Sequence, residues 1–375
     1  MTTPVPLGVA GTARIERLAR VRSAMDAAGV DALLLSLGAD LPWLSGYEAM
    51  PLERLTMLVV PIDAPATLVV PGLEAPRVEP DAAGFVVRPW AENEDPVNIV
   101  TSLIGSRARL AVSDRTWATF VLALQDALPA ALWSRASAVT GPLRAVKDAA
   151  EIEALASASA GADRVAADLL GGAIPLIGRT EVEVSADIGR RLIAEGHQRV
   201  NFAIVGSGPN SASPHHEPAG RRIGAGEAVV CDFGGTMQGY CSDITRTVFT
   251  ATPPAEFVEL YEVLQGAQAA SVGSALIGTP CEAVDAAARR RITAAGFGEA
   301  FIHRTGHGIG LEEHEDPYIV AGNNLSLVAG HAFSVEPGIY LAGRFGARIE
   351  DIVVATAEGP RALNRVDHSL TVVDA

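Results

Sequence analysis

Residues Cys231–Asp243 read CDFGGTMQGYCSD, with Asp232 and Asp243 on either side of a glycine-rich centre and apolar segments, EAVV and ITRTVFT, at each end. On one continuous strand these two aspartates, eleven positions apart, would point to opposite faces, because side chains alternate with period two. A hairpin changes that relation. If Asp232 pairs directly with Asp243, then Gly235 opposes Tyr240, Thr236 opposes Gly239, and Met237 and Gln238 form the tip. Directly opposed residues share a face with Cβ atoms about 4.5–5.5 Å apart, and like charges that close are destabilising unless a cation lies between them. Arg246 suits that role poorly, since a regular strand turns it away from the face of Asp243. A metal ion suits it better, and a solvated pair at a hairpin end is the alternative if no further ligands exist.

Further ligands do exist. HRTGHGIGLEEHEDP sets His303, His307 and His314 among glycines, where backbone can approach a site closely and imidazoles can bind metal or move protons. FSVEPGIY ends an apolar strand at Glu336 before a Pro-Gly stop, and ARIEDIVV places Arg348 and Glu350 on one strand face within a β-branched run. An acid buried there unpaired is costly. Each has an ordinary explanation alone, such as an internal Arg348–Glu350 ion pair. Together, Asp232, Asp243, Glu336 and Glu350 carry four negative charges, with neutral His307 as a fifth ligand, and two divalent cations would neutralise the set. Carboxylates can bridge metals about 3.5–4 Å apart. An oxygen-rich shell with one imidazole suits manganese, cobalt, iron or zinc more than calcium.

Composition and patterning bound the remainder. At 375 residues and 49% hydrophobic, the chain exceeds what one core usually fills, so two domains are expected. Its 44 acidic residues outweigh 29 basic ones, for a net charge of -15, which argues against nucleic acid or an anionic membrane as partner. No segment reads as a signal or a membrane span, and three cysteines without a CxxC pair fit a reducing compartment, so a cytoplasmic protein with apolar, space-filling thiols is expected. The first part alternates a helical stretch, RIERLARVRSAMDAAG, with the strand patterns DALLLSL, RLTMLVVP, ATLVVP and GFVVRPW, which reads as mixed α/β. The boundary is placed near Leu143, giving domains 1–142 and 143–375. Beyond it, helices at VKDAAEIEALASASAGADRVAADLL, EVEVSADIGRRLIAEG, PAEFVELYEVLQGAQAASVGSAL and CEAVDAAARRRITAAG accompany strands at NFAIVGSG, EAVVCDFGG, DITRTVFT, HAFSVEPGIYL and ARIEDIVVAT. That pattern reads as antiparallel α+β.

These motifs resemble the M24 metallopeptidase family with the pita-bread fold, which includes methionine aminopeptidases, Xaa-Pro aminopeptidases and Xaa-Pro dipeptidases (prolidases). The resemblance covers nearly the whole chain. RLARVRSAMDAAGVDALLLSLGADLPWLSGYE and the link LRAVKDAAEIEAL are similar to the creatinase-like N-terminal domain of the proline-specific members, which precedes a pita-bread catalytic domain with a curved antiparallel sheet. The family's five metal ligands fall on Asp232, Asp243, His307, Glu336 and Glu350 without substitution. GSGPNSASPHH is similar to the segment carrying a substrate-contacting histidine, here His215, and HEDP supplies a second, His314. The resemblance implies two divalent ions, manganese first with cobalt, iron or zinc as alternatives, and hydrolysis of an Xaa-Pro bond by a metal-bridging hydroxide. Glu336 would then relay the water's proton, and His215 and His314 would stabilise the developing charge.

Arg348 resembles an arginine near the substrate carboxylate in dipeptidases. It can also be read as the ion-pair partner of Glu350 or Asp351. His216 and His303 each sit beside a better candidate and are left out of the expected site. The expectation is a dipeptidase acting on small proline-containing peptides, with aminopeptidase P as the alternative. Readings from other classes are a lyase or amidinohydrolase on the same fold, or a binding protein. The resemblance further implies a homodimer in which ADLPWLSGYEAMPLER borders the partner's site, with Asp40 and Trp43 as candidate lining residues and burial of Trp43 within its own domain as the favoured reading.

Overall fold

In the computed structural model, which describes residues 11–79 and 84–373, the chain divides into one unit that runs to Arg144 and another that starts at Ala145. The first contains helix α1 (Gly11–Ala28), β1 (Ala32–Leu35), α2 (Asp40–Ser45), β2 (Met57–Pro61), β3 (Thr67–Pro71), β4 (Val86–Trp90), α3 (Pro96–Ile104), β5 (Arg109–Val112), α4 (Ala118–Ala127), β6 (Leu132–Arg135) and α5 (Ser137–Ala145). Its six strands form one mixed sheet in the order β4-β3-β2-β1-β5-β6. Strands β1, β2 and β3 are buried along their whole length, which explains their unbroken apolar sequences.

Within the segment read as bordering a partner's site, Trp43 lies in the interior of this unit, as the favoured reading has it, and so does Asp40, while Glu48, Met50 and Glu53 are exposed. Trp43 is 2% exposed under the Arg17 guanidinium, and Asp40 forms a buried ion pair with Arg144. Neither side chain is presented at the surface.

The second unit comprises α6 (Ala149–Leu170), α7 (Glu181–Ala194), β7 (Arg199–Ser207), β8 (Ala228–Met237), β9 (Tyr240–Cys241), β10 (Ile244–Thr250), α8 (Ala255–Ser274), α9 (Cys281–Ala294), β11 (Gly306–Gly308), β12 (Glu315–Ile319), β13 (Ala332–Val335), β14 (Gly338–Leu341), β15 (Phe345–Arg348), β16 (Asp351–Thr356), β17 (Gly359–Ala362) and β18 (Thr371–Val373). Capping boxes start α6 and α7, with Asp148 paired to Glu151 and Thr180 to Glu183. The sheets run β18-β10-β8-β7, with β9 on β8, and β12-β11-β13-β16-β17, while β14 and β15 form a hairpin. All pairs are antiparallel except β10 with β18.

Strands β8 and β10 are buried on both faces, and the two faces differ. Val229, Cys231 and Phe233 with Ile244 and Val248 join α6 residues Val165 and Leu169 and α7 residues Val184 and Ile188 in one apolar core. Asp232, Asp243 and Thr245 lie on the opposite face. Burial pushes the Cys231 and Cys241 thiols up to about 12, so they stay protonated and inert, as space-filling side chains would.

The hairpin register differs from the sequence expectation by two residues. Asp232 opposes Thr245, Thr236 opposes Cys241 and Met237 opposes Tyr240, so the tip is Gln238-Gly239. The turn chemistry decides this. Both tip residues have positive φ, 52° and 82°, as a two-residue type I′ turn requires, and Gly239 meets that at no steric cost where Met237 could not. Asp243 therefore lies diagonally across from Asp232 on the same face, at the roughly 7–8 Å spacing of an (i, j±2) pair. Gln238 is an imperfect residue for left-handed backbone. Replacing it with asparagine should raise stability by up to about 1 kcal/mol, read as a higher urea midpoint at unchanged slope.

Candidate metal centre

Four carboxylates and a histidine converge on the face of β8 and β10 turned away from the apolar core. Asp232 comes from β8 and Asp243 immediately precedes β10. Glu350 reaches them because β15 and β16 are not one strand. The chain breaks between Arg348 and Asp351, and Glu350 forms a single backbone bridge to Thr245, with its N–H donating to the Thr245 carbonyl at 3.2 Å. The Thr245 hydroxyl donates to Glu350 Oε2 at 2.6 Å and accepts from Arg348 Nε at 2.9 Å.

His307 is the middle residue of the three-residue strand β11, Gly306-His307-Gly308. Both glycines are required by close backbone approach: a Cβ on Gly306 would lie 1.9 Å from the Ser334 carbonyl oxygen, and one on Gly308 would lie 2.2 Å from that of Asp316. Glu336 follows β13, where the Ser334 hydroxyl donates to its Oε1 at 3.1 Å and accepts from the His307 N–H at 3.1 Å. His307 Nε2 ends 3.2 Å from Glu336 Oε1 and 3.7 Å from Asp243 Oδ2. Ligand atoms of Asp243, His307 and Glu350 all lie within 4.8 Å of one another.

The electrostatics of this cluster are those of like charges out of water. Burial pushes Asp243 well above the usual carboxylate range, with Glu350, Asp232 and Glu336 adding to the effect. Burial likewise raises Glu350 strongly, helped by Glu336 and Asp232. Asp232 is raised by burial, against the opposing pull of Arg348. For Glu336 burial acts in the same direction, but the hydrogen bond and charge of His307 outweigh it and leave the carboxyl low. One atom is conspicuous: Asp232 Oδ1 is buried and has no hydrogen-bond partner. An orphaned carboxylate oxygen beside acids with raised pKa, together with an oxygen-rich donor set holding one imidazole, fits divalent cations.

Arg348 is placed differently from the sequence expectation. Its partner is neither Glu350 nor Asp351 but Asp232, through Nη2 to Oδ2 at 2.6 Å. Nη1 donates to the Tyr340 hydroxyl at 2.9 Å and to the Pro214 carbonyl at 3.2 Å. With 2% exposure and every nitrogen engaged, it holds Asp232. Asp351 is held instead by Arg246, which, as expected, points away from Asp243.

The remaining histidines form a layer around the ligands. The His314 ring lies against His307 with centroids 3.8 Å apart, and its Nδ1 is 3.3 Å from Arg304 Nη2. Partial desolvation, then His307 and Arg304, bring its pKa down to about 4, so it is neutral at pH 7. His215 is solvent-exposed and close enough to His303 and His314 to disfavour their protonation. His303, outside the expected set, has Nδ1 2.7 Å from the Arg304 carbonyl, which can only accept. Desolvation keeps this ring neutral, so its Nε2 accepts from the Tyr340 hydroxyl at 2.9 Å. Thr245, Ser334 and Tyr340 were missed by the sequence reading. Thr245 stands two positions after Asp243, and same-face alternation was the signal that pointed to it.

Comparison with known proteins gives the same outline. Residues 144–357 match Metallopeptidase family M24, and residues 17–146 match the Creatinase/Prolidase N-terminal domain. The chain is 36% identical to the Xaa-Pro dipeptidase of Lactobacillus helveticus over 355 residues, covering 92% of this chain and 95% of that protein. The crystal structure of dipeptidase PepE from Mycobacterium ulcerans superimposes with a TM-score of 0.91 at 46% identity, covering 98% of this chain and 99% of that one. A prolidase from Thermococcus sibiricus gives 0.89 at 35% identity, covering 95% and 98%.

Breaking the buried Arg348–Asp232 pair from one side leaves an uncompensated charge, so Arg348→Met should destabilise the metal-free protein by about 3–5 kcal/mol. Chemical unfolding in chelator measures it. A much smaller loss, with KM alone affected, would return Arg348 to the role of substrate reader.

Proposed function

The chain belongs to metallopeptidase family M24, and from that premise we propose that it is a metal-dependent dipeptidase that hydrolyses the Xaa-Pro bond of dipeptides. The observation that carries this reading is the convergence of Asp243, His307 and Glu350 beside the unpartnered Asp232 Oδ1. End-to-end likeness to an Xaa-Pro dipeptidase and a prolidase supports the choice of substrate.

In this reading Asp232, Asp243, His307, Glu336 and Glu350 hold two divalent cations, manganese first, with cobalt, iron or zinc as alternatives. Bound there, such cations supply Lewis acidity that polarises the scissile carbonyl and lowers the pKa of a water molecule. The chain's own groups do the rest. Glu336, whose side chain is 15% exposed, takes the proton of the attacking water and delivers it to the leaving proline nitrogen as the C–N bond breaks. His314 and His215 donate hydrogen bonds to oxygen as negative charge develops on it, and His314, neutral at pH 7, does so without adding a positive charge beside His307. A proline nitrogen in an amide has no N–H, so a peptidase that relies on that donor cannot use this substrate.

The catalytic domain is assigned to residues 143–375, since all of these groups lie within the unit that begins at Ala145. We read the protein as cytoplasmic, a reading that its free, unpaired thiols support. Among the described residues no helix is long and apolar enough to cross a membrane. Small peptides are the proposed partners, and a homodimer is carried over from the family resemblance, to be checked by light scattering.

Chelator-treated protein should cleave neither an Xaa-Pro dipeptide nor an Xaa-Pro-containing tripeptide, and manganese should restore cleavage with the dipeptide preferred. Faster turnover of the tripeptide would make it an aminopeptidase P. Inactivity on both after metal restoration would overturn the peptidase reading.

A further inference from the structure

A second buried carboxylate, outside the ligand cluster, organises the segment that carries His215. Glu181 opens helix α7 and is 0% exposed. Its Oε1 accepts from the Ser207 N–H at 2.8 Å, the Ser207 hydroxyl at 2.7 Å and Asn210 Nδ2 at 3.0 Å. Its Oε2 accepts from His216 Nε2 at 2.8 Å and from the Ala219 N–H and Asn210 Nδ2, each at 3.2 Å. The donors thus come from the start, middle and end of one segment, residues 207–219. The main chain adds to the closure, with the Glu181 N–H donating to the Arg221 carbonyl and the Val182 N–H to that of Ala219.

Between these anchors lie Pro214 and His215. The Pro214 carbonyl accepts from Arg348 Nη1 at 3.2 Å, and Arg348 in turn holds Asp232. Next to Pro214 is His215. Among the described residues its imidazole makes no hydrogen bond, so only its backbone fixes where it lies. Its neighbour His216 is turned the other way, into Glu181. Burial works to raise the Glu181 pKa, and the hydrogen bonds from His216, Ser207 and Asn210 more than offset it, so the group remains an acceptor-only carboxylate.

We propose that Glu181 is the positioning residue for His215: by closing residues 207–219 around one carboxylate it fixes the backbone from which this imidazole projects, near His303 and His314. The proposal rests on the role given to His215 above. Glutamine at this position keeps one carbonyl acceptor but presents an NH2 group to donors that need an oxygen. The segment then loses part of its closure while the ligand cluster is left intact.

The test is a double-mutant cycle on the manganese-loaded full chain with an Xaa-Pro dipeptide, comparing Glu181→Gln, His215→Ala and the double variant. Glu181→Gln should lower kcat by about tenfold to a hundredfold, the usual effect of removing a partner that orients an active-site group. Metal stoichiometry by calorimetry should stay at the wild-type value. Because Glu181 acts through His215, the double variant should be no slower than His215→Ala within about threefold. Losses that multiply, or an unchanged kcat in Glu181→Gln, would overturn the proposal. Full activity in His215→Ala would instead overturn the role of His215, which is a separate failure. If Glu181→Gln does not fold, Asn210→Ala enters the same cycle, since it removes one donor and leaves the rest of the closure. A several-fold loss that does not compound with His215→Ala supports the proposal, and a compounding or absent loss sinks it.

Discussion

Repulsion among four carboxylates drawn out of water is the constraint that the second unit is built around. Two like charges about 4 Å apart cost about 4 kcal/mol even at an effective dielectric near 20. A few such contacts equal the roughly 5–15 kcal/mol by which a whole domain is stable. The cluster is therefore tolerable only with compensating positive charge or bound protons. Arg348 provides one cation permanently, on Asp232. The raised proton affinities of Asp243 and Glu350 mark where more is needed, and cations held by the set would supply it.

That requirement explains why the surrounding fold spends so many polar groups on so few acids. Thr245 serves Glu350 and Arg348 with a single hydroxyl, and Thr247 closes the end of β15 by exchanging hydrogen bonds with the Arg348 backbone. Ser334 joins Glu336 to the His307 backbone. Tyr340 accepts from Arg348 while donating to neutral His303, so the guanidinium has no freedom to swing away from Asp232. Beneath this, the Arg246–Asp351 pair, completed by Gln268, keeps a second buried charge neutral on the helix-covered side. Each bond fixes the direction of an acid that repulsion would otherwise splay outward.

Much of this was legible in the sequence because the physics was local. Acids in β-branched runs, histidines between glycines and helices with acid at the first turn are read directly from residue order, and the metal-ligand candidates and the main elements of both units followed. What was hidden depends on backbone dihedrals or distant partners. The hairpin register slipped by two because Gln238-Gly239, not Met237-Gln238, can take left-handed backbone. The break between Arg348 and Asp351 is invisible in an apolar alternation that continues through it. Strand β11 is three residues long, too short for any periodic signal. Glu181 looks like an ordinary first-turn acid, and its meaning comes from donors 26 to 38 positions away.

The commitment of Arg348 to Asp232 also changes how substrate charge can be met. With Arg348 counted among the ligand carboxylates, two bound dications would give the set one net positive charge, where the carboxylates alone would give neutrality. An anionic group approaching the centre is then attracted by the site as a whole and needs no free guanidinium aimed at it. Neutral histidines complement this arrangement. His314, neutral at pH 7 with a pKa of about 4, can offer an N–H to a developing oxyanion while resting on His307. A protonated ring there would repel the same cations that the carboxylates are assembled to hold. The low proton affinity of His314 and the high proton affinities of Asp243 and Glu350 are thus two aspects of one electrostatic design, in which positive charge is reserved for the ligand cluster and the surrounding layer contributes dipoles.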